Sequence, residues 1–355
     1  MRELRWDILK ITDEVITAGT FHYGQQTARM EELMSREWGG HAVATTSCTQ
    51  ALMLALQASG IQAGDEVVVP AATFTATAFA VSALGALPVI TDVHEPTLTL
   101  DPNALEKAIT DRTRAVIPVH LHGHMADMPT INTIAKAHNL VVIEDCAQAA
   151  GASLRGRAAG TWGDYGCFSF WVGKTIGGLE DAGALITTTP ERAEHLRRLT
   201  NMGRDSSNRN LHHVAGTRAR LGELNAGVIA HELSLLPRWL RRRQQIADHY
   251  EREFTGLPLT TPVTEPEHVH ARYKYAIACP DIAALATYLK EHSIQTEQVY
   301  PYLLPGQPAF ADIKHRSNVT PQSHPAQHRL CLPAYPELTD DEVRHIAHTV
   351  RSFYS

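Results

Sequence analysis

A chain of 355 residues is long enough for two or three domains of about 150 residues, or for one large domain with a smaller appendage. The formal net charge is −6, and basic residues are concentrated in one run, RWLRRR at 238–243. A nucleic-acid-binding protein typically has a larger positive surface, so a small-molecule partner is favoured. The apolar stretches are shorter than the roughly 20 residues of a membrane-spanning helix, and no basic-then-apolar leader opens the chain, so we expect a cytoplasmic protein. The five cysteines form no CxxC pair, and we expect them to be free thiols.

Short apolar segments alternate with helical segments between residues 42 and 190. This alternation predicts an α/β fold with a mostly parallel sheet and helices on both of its faces. Ligands of such sheets bind at the carboxyl ends of the strands. The segments, in chain order, are VATTS, QALMLALQASG, DEVVVP, TATAFAVSALG, LPVITD, ALEKAIT, RAVIPVHL, MPTINTIAKAHN and LVVIEDC. The predicted strand ends are Ser47, Pro70, Asp92, His120 and Asp145.

The alternation stops in the second half of the chain. We predict a long helix beginning near Arg218 and another from about Pro237 to Phe254, followed by a Pro-rich loop. YKYAIACP and two later helical segments then indicate a smaller α+β domain. The predicted division is a large domain of residues 1–237 and a small C-terminal domain of residues 238–355, which a long interdomain helix enters.

Lys174 stands in a Gly-rich turn between two segments that are typical of buried strands, in the stretch CFSFWVGKTIGGLEDAGALITT. Burial disfavours the charged ammonium and favours the neutral amine, which is the form that attacks carbonyl groups. Most lysines lie in surface loops, and this stretch alone leaves that alternative open.

Two other features point to a ligand. Asp145 ends a buried strand, where a carboxylate needs a cation, a donor or a ligand, or caps the next helix. Ser47 and Thr49 begin a helix whose free N–H groups favour a phosphate, although caps of this kind are common. Pyridoxal phosphate (PLP) needs a helix N-terminus, a carboxylate for its ring nitrogen and a lysine for its aldehyde. Phe74, at another strand end, either covers such a ring or belongs to the core.

The order and spacing of the motifs resemble the DegT/StrS sugar and cyclitol aminotransferases, which have the aspartate aminotransferase-like fold (PLP fold type I). The matching segments are ITAGTFHYG, TTSCTQALMLAL, GDEVVVPAATFTATAFAV, VIPVHLHGHMADM, VIEDCAQAAGA, CFSFWVGK, RLGELNAGVIAHEL, QPAF and LPAYPELTDDEV. The resemblance implies that Lys174 is the Schiff-base lysine and that Asp145 pairs with the pyridine nitrogen. It also implies a stacking ring in Phe74 and a contact from Gln148 to the ring hydroxyl. The implied phosphate ligands are Cys48, Thr49, Gln50 and Ser169.

The chain departs from the family pattern at several positions. Cys48 replaces a glycine, and Arg218 replaces an asparagine that reaches the phosphate across the dimer interface. The resemblance implies the same role for Arg218, with a guanidinium in place of an amide. After the lysine, Leu179-Glu180-Asp181-Ala182 replaces Gly-Glu-Gly-Gly, and Pro305 replaces a histidine. Because these changes line the substrate side, the sequence does not identify the acceptor.

Three histidines in HLHGH, at 120, 122 and 124, would project from one face of a strand and could bind a metal. The resemblance favours a substrate pocket instead, and we predict no metal. The residues predicted to contact substrate are His120, His122, Trp171, Glu180 and Tyr300.

These observations predict a homodimer with active sites at its interface. It would transfer an amino group from glutamate or glutamine to a ketone of a sugar nucleotide, a cyclitol or a related ring in antibiotic or polysaccharide biosynthesis. One alternative is a PLP enzyme of the same fold with another outcome, such as a lyase. The other is a regulator that binds the cofactor without catalysis.

Overall fold

A computed structural model describes residues 4–205, 207–208, 210–321 and 324–355. The α-helices in these residues are α1 (Arg5–Ala18), α2 (Gln25–Trp38), α3 (Cys48–Ala58), α4 (Ala76–Ala83), α5 (Pro102–Ala108), α6 (Met128–Ala137), α7 (Pro190–Thr200), α8 (Glu223–Glu253), α9 (Ile282–Glu291) and α10 (Asp340–Phe353). The strands are β1 (His41–Thr45), β2 (Glu66–Pro70), β3 (Leu87–Thr91), β4 (Val93–His94), β5 (Thr99–Leu100), β6 (Thr113–Val116), β7 (Val141–Asp145), β8 (Ser153–Leu154), β9 (Arg157–Ala158), β10 (Tyr165–Ser169), β11 (Gly183–Thr187), β12 (His268–Val269), β13 (Tyr275–Ala278), β14 (Arg316–Ser317) and β15 (Arg329–Leu332).

An eight-stranded sheet organises the larger part of the chain, in the order β1-β11-β10-β7-β6-β2-β3-β14. All neighbouring strands from β10 to β14 pair in parallel, and only β11 runs antiparallel to its two neighbours. The predicted α/β class with a mostly parallel sheet is therefore confirmed. Because β1, β7 and β10 run in the same direction, their carboxyl ends meet at one edge of the sheet.

Alternating burial on β2 shows how the sheet separates two apolar layers. Val68 packs into the core that includes α2 and part of α8, whereas Val67 and Val69 pack into the core that includes α3, α4 and α7. All three valines are fully buried, and each contributes about 1.5–3 kcal/mol through the hydrophobic effect. Helices on both faces thus hold the strand ends in fixed positions.

A third apolar cluster forms the C-terminal part of the protein. It joins the second half of α8 to α9, α10 and the antiparallel pair β13–β15, through side chains such as Tyr250, Tyr275, Leu289 and Ile346. This arrangement agrees with the α+β pattern expected for the end of the chain.

The long helix α8 differs from the sequence-based expectation of two helices. It is continuous from Glu223 to Glu253, with Pro237 inside it, and Arg218 lies before its first turn. The helix continues past Pro237 because Leu233 and Leu236 on one side and Ile246 on the other are anchored in two different cores.

The proposed domain boundary at residue 237 falls inside this helix and stays a prediction. One later segment returns to the first part of the chain, since Arg316–Ser317 pairs in parallel with β3 of the large sheet. Among the described residues, no helix combines the length and apolarity needed to cross a membrane.

Candidate active site

The N-terminus of α3 lies at the edge where β1, β7 and β10 end. Ser47 caps the helix, and its side chain accepts a hydrogen bond of 3.1 Å from the Gln50 N–H. Among the described residues, the N–H groups of Cys48 and Thr49 have no hydrogen-bond partner. Free N–H groups and the helix dipole make this end of α3 suitable for an anion such as a phosphate.

Gly183 and Ser169 bring β11 and β10 to the same helix end. A Cβ atom on Gly183 would clash with the Ser47 carbonyl carbon and would lie 2.6 Å from the Cys48 nitrogen. The absence of a side chain at this position therefore permits the close approach. Ser169 pairs with Gly183 in the strand register, so the predicted phosphate residues Cys48, Thr49, Gln50 and Ser169 belong to one edge.

Asp145, the last residue of β7, is 5% exposed and has only neutral hydrogen-bond donors. Its Oδ2 atom accepts from the Thr77 hydroxyl at 2.9 Å, and its Oδ1 atom accepts from the Ala147 N–H at 3.1 Å. Burial raises the pKa of the Asp145 carboxyl above its ordinary value. The carboxylate thus lies in a site that would favour a cationic partner.

Lys174 lies between β10 and β11, close enough to Asp145 for the charge of this carboxylate to affect it. Its ammonium nitrogen is 4.9 Å from the centre of the Tyr273 ring. Burial lowers the pKa of Lys174 from its ordinary value, and the charge of Lys274 acts in the same direction. The structure therefore brings together a lysine with a lowered pKa and a carboxyl with a raised pKa.

The loop that carries Lys174 is fastened to α8. The side-chain oxygen of Asn225 accepts from the Leu179 N–H at 2.8 Å, and Glu232 accepts from the Gly177 N–H at 2.7 Å. The Asn225 amide also donates to the Asp181 carbonyl. Both α8 side chains are buried, so these bonds fix the loop and the position of its lysine.

Gln148, Tyr300 and Phe74 form one side of the site. The Gln148 amide donates to the Tyr300 hydroxyl at 3.0 Å, and its oxygen accepts from the His122 N–H at 2.7 Å. The Phe74 ring is 59% exposed, and its centre lies 6.0 Å from that of Tyr300. Phe74 is thus not part of the core, which removes the alternative considered for it.

The histidines of HLHGH do not project from one face of a strand. The strand β6 ends at Val116, and the segment 121–123 is a 3-10 turn in which His122 has a φ of 57°. The His122 ring donates to the Val299 carbonyl at 2.9 Å. His120 is completely buried, and its two ring nitrogens contact Glu144 and the Ala126 N–H. Both rings are buried in this chain, and their predicted contacts to substrate stay predictions.

Glu144 is the structural partner that the sequence reasoning missed. Its carboxylate accepts from the N–H groups of Gly160, Trp162 and Gly163 and contacts His120 at 2.8 Å. His120, Glu144 and Cys146 are the one group in the described residues with ligand atoms close enough to share a metal ion. The His120 and Glu144 atoms already have partners in the protein, and the three histidines of the motif do not form such a group.

Three other predicted residues lie away from Lys174 or at its rim. Arg218 is exposed, and its backbone pairs with Asn201 in an isolated bridge. Trp171 and Glu180 are exposed on the lysine loop. The role of Arg218 towards the phosphate therefore stays a prediction.

Comparison with known proteins identifies the chain's relatives. Residues 3–351 match the model of the DegT/DnrJ/EryC1/StrS aminotransferase family. The chain belongs to this family. It is 38% identical over 354 residues to dTDP-3-amino-3,4,6-trideoxy-alpha-D-glucose transaminase of Streptomyces venezuelae, covering 99% of this chain and 93% of the relative. It is 36% identical to a protein of Geobacillus stearothermophilus named pleiotropic regulatory protein, covering 99% and 95%.

Solved structures of the family have the same fold. The S. venezuelae protein DesV, in complex with a ketimine intermediate, superposes with a TM-score of 0.94 at 37% identity, covering 100% of this chain and 96% of that chain. NtdA of Bacillus subtilis, with the bound cofactor PMP, gives 0.90 at 28% identity, covering 99% and 83%. The predicted family, fold and activity class, that of an aminotransferase, are thus confirmed.

The residues of this family member fit a PLP group. The end of α3 offers free N–H groups, Asp145 is a buried carboxylate without a fixed cationic partner, and Lys174 has an amine with a lowered pKa. Sequence reasoning did not find Thr77, Asn225 or Tyr273. Each of these contacts joins positions that are far apart in the chain. Thr77 and Asn225 lie within matching segments, GDEVVVPAATFTATAFAV and RLGELNAGVIAHEL, which were the signal that could have pointed to them.

Proposed function

We propose that this aminotransferase uses PLP to transfer an amino group from glutamate or glutamine to a ketone of a sugar nucleotide. The observation that carries the proposal is that the Lys174 amine and the buried Asp145 carboxyl lie in one site beside the free N–H groups of α3, with pKa shifts of opposite direction. The name of the S. venezuelae transaminase contains a dTDP-linked amino sugar, and this supports sugar nucleotides as the substrate class.

Four groups of this chain would hold the cofactor. The end of α3 with Ser169 would bind the phosphate, and Asp145 would hold a proton on the ring nitrogen. Gln148 would contact the ring hydroxyl, and Phe74 would cover one ring face. When bound, PLP supplies an aldehyde and a ring that withdraws electrons from the substrate carbon.

Lys174 would act twice in such a site. Its neutral amine would hold the cofactor through the aldehyde, and the amine, when free, would move a proton at the substrate carbon. Burial favours the neutral amine, and the bonds from Asn225 and Glu232 to its loop keep the amine in place. The charge of Asp145 favours electron withdrawal because it keeps the ring nitrogen protonated.

Exposed apolar side chains around the lysine loop support a homodimer. Trp171 and Leu179 lie on the loop, and Phe21 lies at the start of α8, where its carbonyl accepts from the Glu223 N–H. Met202 is also exposed, and its N–H donates to Thr217 beside Arg218. A second copy that covered these side chains would bury apolar surface, and the family resemblance implies that Arg218 then reaches its partner's site. Sedimentation should show a dimer that Leu179→Glu weakens, and a monomeric parent would contradict the proposal.

The transfer can be tested from both sides of its equilibrium. Purified protein with PLP is incubated with amino-sugar nucleotides, dTDP- and UDP-linked, and 2-oxoglutarate, and glutamate formation is measured by mass spectrometry. The matching keto-sugar nucleotides with glutamate or glutamine test the forward direction. We expect transfer with at least one sugar nucleotide and none with Lys174→Ala.

The two alternatives predict other results in the same assay. A lyase would release ammonia or lose a substituent from the substrate without forming glutamate. A regulator, as the name of the G. stearothermophilus relative suggests for that protein, would bind PLP without transferring an amino group. Either outcome would refute the proposed reaction.

A further inference from the structure

Two lysines contact the same aromatic ring in the active site. The nitrogen of Lys174 is 4.9 Å and that of Lys274 is 5.0 Å from the centre of the Tyr273 ring. Since each nitrogen lies about 5 Å from the same point, the two nitrogens are at most about 10 Å apart. Two cations at this distance in a partly desolvated site repel each other.

Lys274 is held firmly in this place. Its N–H donates to the His122 carbonyl at 3.3 Å, and Arg243 of α8 donates to the Tyr273 carbonyl at 3.2 Å. Its ammonium forms an ion pair with Glu297, whose backbone exchanges hydrogen bonds with Cys331 of β15. The lysine side chain is 22% exposed and the Glu297 side chain 54%, so Glu297 is the more solvated partner. The charge of Lys274 is therefore only partly neutralised.

We propose that Lys274 is a positioning residue that keeps the Lys174 amine neutral through their shared contact with Tyr273, and that Glu297 limits this effect. The inference deepens the proposed function, because a neutral amine is the form that attacks a carbonyl group. Lys274 would act through Lys174 and would not itself touch the reacting atoms.

The other charged groups near Lys174 do not replace this contribution. Asp145 of β7 favours the ammonium, opposite to Lys274. The thiol of Cys48 on α3 stays neutral, because burial raises its pKa well above the ordinary value. On α8, burial raises the pKa of Glu232 to about 7, so this carboxyl is only partly ionised at neutral pH. It lines a cavity of about 630 Å³ together with Lys174, and the other charged residues of this cavity are Arg238, Arg241, Arg242, Arg243 and Glu337. Among the charged groups that affect Lys174, Lys274 is the cation that opposes Asp145.

Competitive acetylation measures the pKa of Lys174 directly. The full-length chain, freed of cofactor, is labelled with acetic anhydride over a range of pH, and the labelling of Lys174 is quantified by peptide mass spectrometry. The exposed Lys290 is the internal reference. This readout needs no turnover, so its failure is distinguishable from failure of the proposed transamination.

Two variants that should shift the labelling midpoint of Lys174 in opposite directions make the test decisive. Lys274→Met should raise the labelling midpoint of Lys174 by about half a unit to one pH unit, and Glu297→Gln should lower it. Lys274→Arg, which keeps the charge, should stay near the parent. The double variant Lys274→Met/Glu297→Gln should have a midpoint between those of the parent and Lys274→Met. Lys136→Met, at another exposed lysine, is the control for loss of a distant positive charge and leaves the Lys290 reference in place. An unchanged midpoint in Lys274→Met, or shifts in the same direction for Lys274→Met and Glu297→Gln, would overturn the inference.

Discussion

Replacement of Asp145 by asparagine removes a buried charge and keeps the shape of the side chain. Asparagine has an oxygen that can accept from the Ala147 N–H, as Asp145 does at 3.1 Å. Its amide can donate to the Thr77 hydroxyl, which can turn to donate to Thr73 at 2.9 Å. The hydrogen bonds of the fold can therefore be conserved in this variant.

The effect on stability has a definite sign in the cofactor-free chain. Burial raises the pKa of Asp145 in the folded state, so ionisation favours the unfolded state. This penalty is absent at low pH, grows as pH rises above the ordinary pKa of the carboxyl, and is present at neutral pH. Without cofactor, Asp145→Asn should thus be at least as stable as the parent at neutral pH.

The effect on the cofactor has the opposite sign. The amide loses a charge-assisted contact to the ring nitrogen, of about 1.5–3 kcal/mol, which corresponds to roughly a ten- to a hundredfold loss of affinity. Urea unfolding of the cofactor-free chain and titration with PLP measure the two effects, and turnover should fall strongly. A variant that is less stable without cofactor, yet binds PLP and turns over like the parent, would refute the reasoning. Asp145 would then be a structural residue that fixes the turn at Ala147.

Three further expectations follow from other groups. Arg218→Ala should lower the PLP affinity of the dimer by roughly ten- to a hundredfold, because one charge-assisted contact across the interface is lost. A PLP affinity equal to that of the parent, together with a raised KM, would place Arg218 at the substrate instead. Glu144→Gln should lower the free energy of unfolding by about 2–4 kcal/mol because it weakens three backbone contacts, and an unchanged urea midpoint would contradict this. Burial lowers the pKa of His122 and His124 from the ordinary value of 6.5 to about 4. The free energy of unfolding should therefore decrease as the pH falls from 6.5 to 4, and urea midpoints that do not change over this range would contradict the expectation.

The sheet and the main site residues could be predicted because their signals are local. Apolar segments with helical stretches between them specify a parallel sheet, and the ends of its strands meet at one edge. Asp145 ends β7, Ser169 ends β10, and Lys174 lies in the next connection, so three predicted positions meet by topology alone. Their roles towards PLP stay predictions.

Other features depend on contacts between distant segments. The turn at His122 and the burial of His120 depend on Glu144 and Val299, which no periodic pattern connects to HLHGH. The continuity of α8 through Pro237 depends on packing on both sides of the proline, which outweighs its local preference. Lys274 lies in the segment YKYAIACP, which carries no sign of its relation to Lys174, since that relation arises only from tertiary structure.

The covalent attachment of the cofactor tests the central claim most directly. The PLP-loaded protein is reduced with borohydride, digested and mapped by mass spectrometry, with Lys174→Ala as the control. The account predicts a pyridoxyl group on Lys174 in the parent and no label at this position, with no turnover, in the variant. A label on another lysine, such as the neighbouring Lys274, would contradict the account.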